Sequence, residues 1–105
     1  MPDQPNAAGP VRPWTFLTNH ARVLIRIAAA PRSRMRDLAE QVGITERAVQ
    51  RIVAELEDAG YLSVTRVGRQ NQYVVHTDRP LRRDGVGHRT VAHLLELGLG
   101  GKPAR

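Results

Sequence analysis

The sequence predicts a small, mainly α domain with one β-hairpin, and three stretches carry that prediction. "MRDLAEQVGITERAVQRIV", Met35 to Val53, reads as two short amphipathic helices broken by a glycine. "LSVTRVGRQNQYVVH" sets two runs rich in Val, Thr and Tyr on either side of "GRQN", which is a hairpin pattern. Apolar residues at helical spacing bracket the rest, around Leu24 on one side and Leu94 on the other.

In chain order, Met1 to Pro13 holds four prolines and few apolar residues, and residues 1–13 are expected to form a flexible tail. Trp14, Phe16 and Leu17 begin the folded part, with Trp14 expected as a plug at the core's edge. Thr18 or Asn19 has the chemistry of a helix N-cap. Leu17, Ala21, Leu24, Ile25 and Ala28 then share one helical face. Val23 and Ile27 lie off that face, where they either widen the core or meet a second subunit. Pro31 ends this helix. Ser33 to Met35 is ambiguous and compatible with one short strand.

A second helix is expected from about Arg36 to Val42, with Leu38, Ala39 and Val42 inward. Gly43 stands where a helix end turns left-handed, which costs a glycine little. Ile44 re-enters the core and Thr45 caps a third helix, Glu46 to Ala59, whose apolar stripe is Val49, Ile52, Val53 and Leu56. Gly60 closes it, and Tyr61 and Leu62 fold back on its last turn. The hairpin follows over residues 63–76. A connector rich in charge, Pro and Gly then leads to a last helix, Arg89 to Gly98, before a frayed end at 99–105. The folded unit is thus residues 14–98.

Composition narrows the function. The chain has 105 residues, enough for one domain with a thin core, which association with a second copy would supplement. Its formal charge is +6, which favours an anionic partner, nucleic acid before membrane, although the strong preference for Arg over Lys is also what a GC-rich genome produces. The absence of cysteine excludes disulfides and thiolate metal sites and fits a reducing compartment, the cytoplasm. The N-terminus lacks the pattern of a signal peptide, and the longest apolar run, "VLIRIAAA", is too short to span a bilayer. No nucleophile, phosphate loop or H-E-x-x-H motif points to an enzyme, and no cofactor is expected.

A turn of about three residues forces the second and third helices to cross steeply. Ala39, Gly43, Val49 and Ile52 stand at the spacing of the helix-turn-helix pattern, with Leu38, Val42 and Ile44 at the adjoining apolar places. From Leu17 to His76 the chain resembles winged helix-turn-helix transcriptional regulators of the MarR-like or ArsR-like kind, the hairpin being the wing. The resemblance implies a three-helix core, a two- or three-stranded wing and a C-terminal helix. It also implies sequence-specific binding of double-stranded DNA, with residues 45–59 as recognition helix.

With about 100° between residues, Arg47 and Arg51 lie nearly opposite the third helix's apolar stripe, and Gln50 flanks them. Arg can bond guanine N7 and O6, and Gln adenine N6 and N7, each pair discriminating by about 1–3 kcal/mol. Arg47, Gln50 and Arg51 are therefore the expected base readers. Glu46 either accepts from cytosine N4 or complements the helix dipole. Thr45, Arg34 and Arg36 are placed for phosphates. On the wing, which the resemblance lays along the minor groove or backbone, Arg66 and Arg69 supply charge and Gln70 and Asn71 supply amide donors. Against this, Thr45 to Ala59 carries more acids than arginines, and only its first half is net positive.

Two other readings stay open: a winged-helix module that docks proteins, and a sensor of a metal or small ligand. For the metal, His93 and Glu96 with His88 and Asp84 only partly match the ArsR-like zinc pattern, and no metal site is assigned. A homodimer is expected through the first and last helices, using Val23, Ile27, Val91, Leu94, Leu95, Leu97 and Leu99.

Overall fold

The computed structural model describes residues 15–81 and 89–99. The tail 1–13, Trp14, Asp84, His88 and all of the C-terminal tail but Leu99 lie outside the described residues. Three helices come first: α1 (Asn19–Ala29), α2 (Met35–Val42) and α3 (Glu46–Asp58). The hairpin β1 (Leu62–Val67) and β2 (Gln70–Val75) follows, then α4 (Val91–Gly98). This is the winged helix-turn-helix architecture.

The helix ends follow from local chemistry. Thr18, not Asn19, caps α1: its Oγ1 accepts from the Ala21 N–H at 3.1 Å. Thr45 does the same for α3, accepting from the Ala48 N–H at 3.0 Å. At the end of α2, Gly43 takes φ +84°, a conformation a side chain would strain. The Gly43 and Ile44 N–H groups then both turn back to the Ala39 carbonyl, at 2.8 and 3.0 Å. Only Ile44 and Thr45 separate that residue from α3.

The core gathers Leu38, Ala39 and Val42 of α2 with Val49, Ile52, Val53 and Leu56 of α3, closed by Tyr61, Leu62 and Tyr73. Val23 and Ile27 belong to it and are fully buried, which corrects their expected place at a subunit interface. The reason is that α1 touches α2, α3, α4 and β2, so neighbours cover more of its circumference than a single stripe. Each such residue contributes about 1.5–3 kcal/mol by leaving water. Val91 of α4 is likewise buried, and Leu94 and Leu95 are half-buried against the core, so only Leu97 and Leu99 of the expected interface remain exposed.

The wing is an antiparallel pair in register from Leu62↔Val75 to Val67↔Gln70, turning at Gly68 and Arg69. Gln70 and Asn71 are thus strand residues, and Arg69 alone of the expected wing residues occupies the tip. One face starts in the core with Leu62, Val64, Tyr73 and Val75 and becomes polar farther out, at Arg66↔Asn71. Ser33 to Met35 forms no third strand. The Tyr73 N–H donates to the Pro31 carbonyl at 2.9 Å, but a proline has no N–H to return the bond, and pairing stops there.

The last helix begins two residues later than its apolar spacing predicts. Arg89 and Thr90 are spent on pairing: Leu81 N–H reaches Arg89 O at 2.9 Å, and Val91 N–H reaches Arg79 O at 2.9 Å. Gly98 lies flat on α1. A Cβ there would collide with Ile25 Cδ1 and sit 2.8 Å from Cγ1 and 3.0 Å from Cγ2, atoms that a χ2 rotation does not move away. Ordinary helix propensity makes alanine about 1 kcal/mol better than glycine. Gly98→Ala should instead destabilise the domain, by about 1–3 kcal/mol for overpacking, as read from urea denaturation.

Candidate nucleic-acid interface

The third helix is held from behind. Its apolar stripe is buried against α1 and α2, so Arg47, Gln50 and Arg51 stand on the exposed opposite side. Among the described residues neither Arg47 nor Gln50 has a hydrogen-bond or ion-pair partner, so both side chains can turn toward a ligand without breaking a contact. Thr45 keeps its hydroxyl proton for an outside acceptor while the oxygen caps α3.

Beside that helix lies a groove of about 420 Å³. The turn after α1 and the start of α2 form one wall with Arg32, Arg34 and Arg36. The wing forms the other with Arg66, Arg69, Gln70 and Asn71, and Glu46 of α3 sits at the end. The groove therefore sets five arginines against one carboxylate, a strong bias toward an anion. Few of these charges are spent internally. Arg34 Nε approaches Asp37 only to 4.0 Å, and Arg66 Nε donates to the Gly68 carbonyl at a long 3.4 Å. Asn71 Nδ2 donates to Tyr73 Oη at 3.4 Å, which steadies the groove's apolar floor.

The structure thus brings Arg34 and Arg36, expected on phosphates, together with the wing residues and Glu46, and keeps Thr45, Arg47, Gln50 and Arg51 out of the groove's lining. Sequence reasoning missed Arg32. Its only trace there was the alternation of arginine at 32, 34 and 36 through a proline-marked turn, which matches no single period. It also missed the contact that Arg51 makes: Nη1 lies 3.6 Å from Glu55 Oε1. The same oxygen sits 2.6 Å from His20 Nε2 of α1. The His20 hydrogen bond, with help from the Arg51 charge, holds the Glu55 carboxyl below its ordinary 4.5 despite opposing desolvation.

His93 has a structural task. Its Nδ1 accepts from the Thr90 N–H at 3.0 Å and so closes the start of α4. Among the described residues no group of three or more His, Asp or Glu side chains is placed to hold a metal ion. No described helix is long and apolar enough to cross a membrane.

With this geometry in view, residues 18–63 match the family described as winged helix-turn-helix DNA-binding. That span runs from the cap of α1 into β1. The fold is similar to that of the transcriptional regulator PcaV from Streptomyces coelicolor, solved with its natural ligand. The TM-score is 0.50 and the identity 21%, over 84% of this chain and 64% of that one. It is also similar to T. potens IscR, with a TM-score of 0.52 and 15% identity, over 88% of this chain and 93% of that one. This chain therefore spans less than two thirds of the length of PcaV. No curated protein sequence matches it. The similarity to a winged helix-turn-helix DNA-binding domain thus covers residues 18–63 of the chain.

The Glu55 carboxyl gives a stability test. Because its folded pKa is lowered from 4.5, the α1–α3 contact contributes stability above that value and loses it as pH falls through the lower folded value. The urea midpoint of the unaltered protein should therefore fall more between pH 5 and pH 3 than that of Glu55→Gln.

Proposed function

We propose that this protein is a sequence-specific, double-stranded DNA-binding transcriptional regulator of the MarR-like or ArsR-like kind, acting in the cytoplasm and without enzymatic activity. The observation that carries the reading is the arginine groove beside an exposed, unpaired Arg47 and Gln50 face. Duplex DNA offers both partners at once, base edges in a groove and a flanking row of phosphates. Arg47, Gln50 and Arg51 read base edges in the major groove, with Glu46 accepting from cytosine. Thr45, Arg34 and Arg36 take phosphates, and Arg32 joins them. Arg66, Arg69, Gln70 and Asn71 of the wing follow the adjacent minor groove or backbone. The acids that make α3 negative overall lie mostly in its second half, which points away from the duplex in this docking mode.

The working form is a homodimer. Leu97 is 71% exposed and Leu99 47% exposed at the end of α4, an apolar edge suited to a second copy. Two copies would read half-sites about 34 Å apart.

Selection from a random DNA pool should return a short, two-fold symmetric motif. On that motif Arg47→Ala and Arg51→Ala should each cost about 1–3 kcal/mol and relax preference at one base pair. Arg69→Ala should weaken binding to all duplexes alike and lower the salt slope by about 1. Equal losses on selected and random duplex for every variant would reject the division of roles. Leu97→Glu should convert the dimer to monomer in sedimentation equilibrium while the far-ultraviolet circular dichroism of the folded domain stays unchanged.

A further inference from the structure

Glu55 stands one turn beyond Arg51 on α3, outside every contact assigned above to DNA. Its Oε1 faces two donors: Arg51 Nη1 at 3.6 Å and His20 Nε2 at 2.6 Å. Among the described residues these are the charged groups that act on it, one from its own helix and one from α1. A carboxylate only accepts, so the His20 ring donates through Nε2–H. The consequence for Arg51 is directional. Its side chain runs along α3 toward the C-terminal half, away from the half that docking puts in the major groove. Its planar fork must leave the carboxylate before it can bond a guanine edge.

We propose that Glu55 is a positioning residue that holds Arg51 off the bases until DNA displaces it. His20, by claiming the same oxygen from α1, sets how firmly it does so. The inference rests on the reading of Arg51 as a base-contacting residue, and it adds a competitor and a lever to that reading. His20 is anchored independently of α3, in the first turn of a helix capped by Thr18. A shift of α1 against α3 therefore changes the strength with which Arg51 is held, without any change at the DNA-facing surface.

The test is a double-mutant cycle read by fluorescence anisotropy on the selected duplex and on a random-sequence duplex. Glu57→Gln removes the same charge from the same helix and serves as control. Glu55→Gln keeps the side chain's length and an acceptor oxygen, so α1 and α3 can stay joined. It should tighten binding to the selected duplex more than Glu57→Gln does, by roughly two- to fivefold, the range for an exposed ion pair. In the Arg51→Ala background the two glutamine variants should become equal. His20→Ala should weaken binding on its own and change nothing when Glu55 is already glutamine. Equal effects of the two glutamine variants with Arg51 present, or an excess that survives Arg51→Ala, would overturn the role of Glu55 while leaving the interface intact. An Arg51→Ala protein that binds both duplexes as the unaltered one does would instead remove the base-reading role itself, and the inference with it.

Discussion

Between Ala39 and Thr45 the backbone must end one helix, reverse and begin another within very few residues, and the left-handed Gly43 is what lets it. Two consecutive N–H groups then converge on the Ala39 carbonyl, which closes the end of α2 tightly into the turn. Ile44 drops against the core, and Thr45 supplies the acceptor that α3 needs at its start. The short turn packs α2 against α3, and that packing buries Val49 and Ile52 in one core with Leu38 and Ala39. With one side of α3 consumed in this way, the opposite side has to face water. The exposure of Arg47, Gln50 and Arg51 is thus the geometric complement of the burial behind them.

Charge follows the same logic at larger scale. The start of α2 and the wing belong to different parts of the chain, yet each brings arginine to one groove, and the single carboxylate among them sits at a helix start. A carboxylate there is favoured by the helix's own field, which reduces its cost to the anion-binding surface. The acids of α3 that would repel a duplex lie mostly farther along, where one of them is engaged by His20 and Arg51. The helix is negative in sum, and the part of it nearest the groove is not.

Much of this was legible in the sequence because it is written in local chemistry. Thr45, Gly43 and the stripe Val49, Ile52, Val53, Leu56 each act within a turn or two of the chain, and spacing reports them directly. Val23 and Ile27 were not legible. Periodicity gives the face of a helix but not how many neighbours wrap around it, and α1 is covered by four elements. Arg32 escaped because the arginine pattern crosses from a turn into a helix and keeps no period. The Glu55–His20 contact joins residues 35 apart in sequence, and nothing local marks the pair.

The bond from Tyr73 to Pro31 has a consequence beyond placing the wing. A two-stranded ribbon exposes a rim of open hydrogen-bonding groups on both sides, and such rims invite further chains to add on and polymerise. Here one N–H on the rim of β2 is already taken by a residue that can offer nothing back. The ribbon is sealed at that point by a terminator the chain supplies itself, so the wing can extend away from the domain as a narrow finger with one less foothold for stray strand addition.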